Sequence, residues 1–140
     1  MARVLIIEAD GGSRGNPGES GSGAIVIDRD SGEILAEISL YGGVASNNVA
    51  EYKGMIAGVR RAIELDADAE LLVRLDSKLV VEQMSGRWKI KHPAMAELAA
   101  EAREVLIGTP VRFQWMPRIE NSRADKLANL AMDLRADTVR

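Results

Sequence analysis

Cysteine is absent from the 140 residues, which excludes disulfides, thiolate zinc sites and thiol catalysis. Histidine occurs once, as His92 before a proline in a loop, and no role is assigned to it. Long apolar runs are also missing. The longest, such as Val4–Ile7 and Ala24–Ile27, fall far short of the ~18 residues of a membrane span. The N-terminus enters a strand-like run at once, without a signal-peptide layout, so a cytoplasmic protein with no membrane partner is expected. There is no excess of positive charge. The net charge is −3, whereas nucleic-acid binders are commonly basic. Net charge averages over the surface, however, and acids gathered to hold cations lower it without leaving the adjoining face acidic once metal is bound. Repeats, low-complexity tracts and long linkers are absent. The length fits one domain over residues 1–140, able to bury roughly 68–70% of its unfolded surface without staples. Nothing in it demands more than a monomer.

What is present reads as alternating elements. Val4–Asp10 is a first strand, ending in a glycine-rich loop from Gly11 to Gly18. Gly21–Asp28 and Ile34–Leu40 are two more, joined through the turn residues Arg29-Asp30-Ser31-Gly32. Asn48 to Leu65 is helical by pattern, with Tyr52, Met55, Ile56, Val59, Ala62 and Ile63 at three- and four-residue steps. Gly54 and Gly58 lie inside that helix, where each costs about 1 kcal/mol relative to alanine. With Glu51 they form a stripe that lets the helix lie close on a sheet. Leu71–Asp76 is a short buried strand. A helix follows, with Ser77 near its cap, Leu79, Val80 and Met84 inward and Gly86 at its end. Pro93 to Ile107 is another amphipathic helix, and the proline suits its first turn. Val111–Met116 alternates as a strand. Asn121 or Ser122 then caps a last helix carrying Ala124, Leu127, Ala131 and Leu134 inward, before a frayed end. The order βββαβααβα implies an α/β fold, a mixed sheet with helices on its faces.

Four acids stand out by placement. Asp10 and Asp76 end the first and fourth strands, Glu51 opens the first helix, and Asp125 opens the last. The carboxyl ends of adjacent strands share one rim, where sites form. If the crossover helix returns beside the meander, Asp10 and Asp76 are neighbours with Glu51 above them. Two unit charges 4 Å apart repel by about 4 kcal/mol at an effective dielectric of 20, so such a cluster raises its own pKa values or binds metal. Oxygen ligands without Cys or His favour Mg²⁺ or Mn²⁺ over Zn²⁺. Two such ions ~3.5–4 Å apart suit an in-line displacement. Taken singly, each acid is as well explained by a turn, a cap or the helix dipole; the set matters because the topology gathers it.

Four segments resemble the motifs of type 1 ribonucleases H, in that family's order and over nearly the whole chain. They are Asp10-Gly11-Gly12-Ser13-Arg14-Gly15-Asn16-Pro17-Gly18, Ser46-Asn47-Asn48-Val49-Ala50-Glu51-Tyr52, Leu75-Asp76-Ser77-Lys78-Leu79-Val80, and Met116-Pro117-Arg118-Ile119-Glu120-Asn121-Ser122-Arg123-Ala124-Asp125. Each is weak alone and together they are specific. The resemblance implies a five-stranded mixed sheet of order 3-2-1-4-5. It also implies Mg²⁺-dependent endonucleolytic hydrolysis of the RNA strand of RNA/DNA hybrids, leaving 5′-phosphate and 3′-hydroxyl ends. Asp10, Glu51, Asp76 and Asp125 would hold two Mg²⁺ ions, with Mn²⁺ a possible substitute. Asp10 would bridge the ions, Asp76 and Asp125 would hold the one near the nucleophilic water, and Glu51 the other, close to a ribose 2′-hydroxyl.

Two departures from that family stand out. Many members carry a His on the loop before the last helix. Here the matching residue is Arg118, as in a subset, and arginine cannot shuttle a proton at neutral pH. It would act electrostatically, or else be an ordinary surface arginine. The basic insertion before the Pro93 helix is replaced by Gly86-Arg87-Trp88-Lys89-Ile90-Lys91-His92. Trp88 could stack on a sugar or base while Lys89 and its cationic neighbours meet DNA phosphates, or it could pack over the core edge. Gly11, Gly12 and Ser13 suit close backbone approach to the RNA minor groove, where 2′-hydroxyls are displayed. The Gly11–Gly18 segment lacks a Gly-Lys-Ser/Thr ending and is no P-loop. Asn16, Asn47 and Asn48 would reach the same groove, Ser46 a DNA phosphate, and Lys78 the substrate as well; turn and cap roles are the alternative. Glu8 shares a strand face with Asp10 and could support the site without being a ligand. The rival readings are a 3′–5′ exonuclease or strand-transferase on the same scaffold, and a non-enzymatic hybrid-binding domain.

Overall fold

The computed structural model describes residues 2–140. Strands β1 (Val4–Arg14), β2 (Gly18–Asp28) and β3 (Ile34–Ala45) form an antiparallel meander. Helix α1 (Asn47–Leu65) crosses over, and β4 (Glu70–Leu75) returns parallel to β1. Helices α2 (Lys78–Met84) and α3 (Pro93–Val105) follow, then β5 (Val111–Trp115), parallel to β4. A 3₁₀ turn (Arg118–Asn121) leads into α4 (Ser122–Leu134), and β6 (Thr138–Val139) closes the chain against β3.

The sheet order is β5-β4-β1-β2-β3-β6. The expected 3-2-1-4-5 order is therefore present, with a sixth strand added outside β3. That strand corrects the expectation of a frayed end: Glu37 and Arg140 exchange both backbone hydrogen bonds, at 2.9 and 3.1 Å. The glycine-rich stretch is not a free loop either. β1 runs on to Arg14 and pairs through Gly12 with Gly21, so only Gly15–Pro17 turns. Helix α3 stops at Val105 rather than Ile107, and Leu134 lies exposed rather than inward.

Leu5, Ile7 and Ala9 of β1, with Ala24 and Val26 of β2, pack under α1, α2 and α3 as the main core. Ala124, Ala128 and Met132 of α4 are buried on the opposite face. The stripe on α1 does what its pattern implies. A Cβ on Gly54 would stand 2.7 Å from the Asp10 carbonyl oxygen, and one on Gly58 would stand 2.4 Å from Ile7 Cγ2. The helix therefore rests almost on the sheet backbone, which brings Glu51 to the rim. No helix among the described residues is long and apolar enough to cross a membrane.

Candidate active site

Register brings the acids together. Ala9 pairs with Leu75 in the parallel β1–β4 ladder, so Asp10 and Asp76 are the next residues on neighbouring chains. Glu51 comes over the rim from α1. That helix begins at Asn47, which puts Glu51 in its second turn rather than its first, beyond the reach of an ordinary dipole-complementing role. One carboxylate oxygen from each of Asp10, Glu51 and Asp76 lies within 4.8 Å of the others. Asp125 lies in the first turn of α4, outside that tight group but near enough for its charge to act on Asp10. All four line one cleft of about 470 Å³, together with Arg118, Gly11, Gly12, Ser13, Asn47 and Asn48.

The electrostatics are those of a frustrated cluster. Burial pushes the Asp10 carboxyl up to about 7, with the Asp76 charge adding to the effect and a hydrogen bond from the Gly11 backbone opposing it. Burial likewise holds Glu51 well above the usual carboxylate range; Asp10 and Asp76 add to this, and the Arg118 charge works against it. Glu51 Oε2 is buried without a hydrogen-bond partner. A buried carboxylate oxygen without a donor is costly, and a divalent cation would satisfy it together with its neighbours. The donor set is all oxygen, which fits a hard cation.

The cluster is braced from below. Asn121 is fully buried, and its Nδ2 donates to the Ala9 carbonyl at 2.8 Å and to Asp76 Oδ2 at 3.2 Å. The expectation that it caps α4 is thus corrected: it occupies the cap position but makes no side-chain cap bond. Trp115 Nε1 donates to the Asp76 carbonyl at 3.1 Å, a second support that strand periodicity does not reveal. Glu8, on the same face as Asp10, is held by Arg123 at 3.1 Å and Arg74 at 3.7 Å. Its charge is thereby compensated, and the pair of arginines ties the 3₁₀ turn and α4 to the sheet.

Of the remaining expected residues, Asn16, Ser46, Lys78, Trp88 and Lys89 are not among those that line the cleft, whereas Ser77 is. Asn16 Oδ1 accepts from the Asn47 backbone N–H at 3.1 Å, joining the β1–β2 turn to α1. Ser46 caps α1, its Oγ accepting from Val49 N at 3.2 Å, and Ser77 caps α2 in the same way at 3.3 Å. Lys78 and Lys89 are exposed, and Trp88 keeps 45% of its surface in solvent. His92, unassigned from sequence, caps α3 through Nδ1, which accepts from Ala94 N at 3.2 Å.

A buried and a half-buried aspartate at the shared end of two parallel strands, with a buried helix-borne glutamate above them on a 3-2-1-4-5 sheet, define a ribonuclease H-like fold with a divalent-metal site. The family described as reverse transcriptase-like matches residues 8–131, and the chain belongs to it. The bifunctional protein Rv2228c of Mycobacterium tuberculosis is 51% identical over 135 residues, covering 96% of this chain. This chain spans only 37% of that relative's length. The N-terminal RNase H domain of the same mycobacterial protein, solved as a fusion with maltose-binding protein, superposes with a TM-score of 0.91 at 51% identity, covering 95% of this chain and 96% of that one. LC11-RNase H1, solved in complex with an RNA/DNA hybrid, superposes with a TM-score of 0.88 at 38% identity, covering 94% of this chain and 98% of that one.

Proposed function

We propose that this chain is an endonuclease that hydrolyses the RNA strand of RNA/DNA hybrids with Mg²⁺, two ions per site, leaving 5′-phosphate and 3′-hydroxyl ends. Mn²⁺ would serve as a substitute. The observation that carries the reading is the carboxylate group of Asp10, Glu51 and Asp76, one oxygen from each within 4.8 Å, with a partnerless oxygen on Glu51. Asp10, Glu51, Asp76 and Asp125 would hold the ions. Once bound, these supply positive charge that activates a water and stabilises the departing oxygen. In the reaction the water gives up a proton as its oxygen bonds to phosphorus, the bond from phosphorus to the 3′ oxygen breaks, and that oxygen takes up a proton from solvent.

The chain's own residues orient the substrate. Arg118, which lines the same cleft as Glu51, would offset phosphate charge as a fixed cation, since it cannot shuttle a proton. The backbone of Gly11, Gly12 and Ser13, with Asn16, Asn47 and Asn48, would follow the RNA minor groove. Ser46, Lys78, Trp88 and Lys89 would meet the DNA strand, by phosphate contact and by stacking. LC11-RNase H1, similar over 94% of this chain, is seen with an RNA/DNA hybrid, which supports a hybrid as the substrate. The reading carries with it a cytoplasmic monomer acting as one domain over residues 1–140.

The test is end-labelled RNA paired to DNA, incubated with Mg²⁺ or with EDTA, beside single-stranded RNA, duplex RNA and duplex DNA. Internal RNA cuts confined to the hybrid, requiring Mg²⁺ and lost in Asp76→Asn, are the expected result. A folded wild-type chain that leaves the hybrid intact with both Mg²⁺ and Mn²⁺ overturns the proposal in favour of a binding domain.

A further inference from the structure

The segment between α2 and α3 is held in shape by its neighbours. Arg87 Nε and Nη2 both donate to the Glu82 carboxylate, at 2.5 and 2.9 Å. The Glu82 backbone carbonyl accepts from Arg87 N at 2.9 Å and from Trp88 N at 3.2 Å. Gly86 turns the chain there with φ of +79°. From beneath, buried Gln83 accepts the Tyr52 hydroxyl at 2.7 Å and donates to the Lys89 carbonyl at 3.4 Å. Tyr52 adjoins Glu51 on α1, so this loop is referenced to the same helix that carries the catalytic glutamate.

The cations of this region divide into two kinds. Arg87 is engaged through two parallel charge-assisted bonds, the strongest arrangement open to it. Lys89 and Lys91 form no ion pair among the described residues, and Lys78 acts on Glu82 through its charge without pairing with it. The fork to Glu82 takes Nε and Nη2 and offsets the Arg87 charge, so only Nη1 is left to face a phosphate.

We infer that Arg87 is a positioning residue, whose fork with Glu82 presents Trp88 and Lys89 to the DNA strand while making no phosphate contact of its own. This rests on the proposed function, in which that loop meets the hybrid. A preformed loop avoids the ordering loss that a mobile one incurs on binding. Lys89 would release counterions from the duplex, and Arg87 would not.

The experiment is steady-state cleavage of the hybrid by the full chain in Mg²⁺, over roughly 50–200 mM salt, the range in which phosphate contacts are read out. Arg87→Gln should raise KM about three- to tenfold with kcat unchanged, as expected for loss of binding order alone. Its slope of log(kcat/KM) against log salt should match wild type. Lys89→Gln should flatten that slope by about one. The swapped pair Glu82→Arg with Arg87→Glu should restore KM, although it puts an acid where a phosphate contact would need a cation. An Arg87→Gln slope as shallow as that of Lys89→Gln, with no rescue by the swap, overturns the inference while leaving the loop as a substrate contact. Wild-type KM and slope in both Lys89→Gln and Trp88→Ala remove the loop from the substrate interface, and the inference falls with that part of the proposed function.

Discussion

Single atoms decide whether the carboxylates can meet. Gly11 shows this directly: a Cβ there would stand 2.2 Å from the Ala50 backbone carbon and 2.3 Å from Glu51 N. Gly11→Ala must therefore push α1 away from β1, at a cost of about 1–3 kcal/mol for an overpacked site. Because Glu51 moves with the helix, cleavage should fall together with the urea midpoint; a variant of wild-type stability and rate would show that the contact relaxes freely. Asn121 is the second decisive residue. Asn121→Ala leaves the buried Ala9 carbonyl without its side-chain donor and Asp76 without its brace. The expected loss is about 1–3 kcal/mol, with activity falling on the order of 10–100-fold, as for other residues that orient metal ligands. Denaturant unfolding and hybrid cleavage read the two effects separately, and full activity in a destabilised variant would reduce Asn121 to a packing residue.

At the scale of elements, the outlying acid depends on how α4 is seated. Asp125 and Arg118 both ride on the 3₁₀ turn and α4, and few local features of that segment aim them at β1. Glu8 supplies the tether: buried on β1, it binds Arg123 of α4, while Arg74 of β4 bridges Glu8 and Glu120 of the turn, the latter at 3.3 Å. Arg123 is half exposed, so Arg123→Ala should cost on the order of 1–2 kcal/mol, less than the loss of a partner from a fully buried pair. The more specific effect is on metal use. With α4 loosened, Asp125 is held less firmly beside Asp10, and the Mg²⁺ concentration for half-maximal cleavage should rise. An unchanged Mg²⁺ requirement would confine the tether to stability.

For the whole molecule, the buried acids make stability depend on pH in an unusual direction. Asp10 titrates near 7 in the fold against 3.8 in the unfolded chain. Between those values the folded state binds the extra proton, so metal-free stability falls as pH rises from about 4 to about 7. Glu51, also raised, acts in the same sense. Asp28 and Glu82 are held below their ordinary values by Arg3 and Arg87, and their contribution is lost only as pH falls below about 4. In EDTA the melting temperature should therefore be higher at pH 5 than at pH 8, and Asp10→Asn should flatten the trend. Saturating Mg²⁺ should reverse it, adding about 2.7 kcal/mol at a hundred times its Kd. A melting temperature that rises from pH 5 to pH 8 in EDTA would mean that the cluster is not strained without metal.

The amino-acid sequence by itself determined the meander, the crossover helix and which four acids come to line one cleft. Periodicity, turn residues and glycine spacing are local signals, and each states which face of an element is buried. Gly54 and Gly58 even announced the close approach of α1 to the sheet. Partner choice is not local, and there the tertiary structure decided. Asn121 is a sound helix cap by its neighbours, yet the packed Ala9 carbonyl and Asp76 claim its amide instead. Trp115 alternates like any strand residue until β4 places the Asp76 carbonyl beside its indole. Thr138–Val139 is too short to signal a strand and becomes one because β3 offers an open edge. Glu8 and Asp10 share a face of β1 but not their surroundings: two arginines from distant segments compensate Glu8, while Asp10 sits beside Asp76 and Glu51 with only the Gly11 backbone N–H to favour its charge.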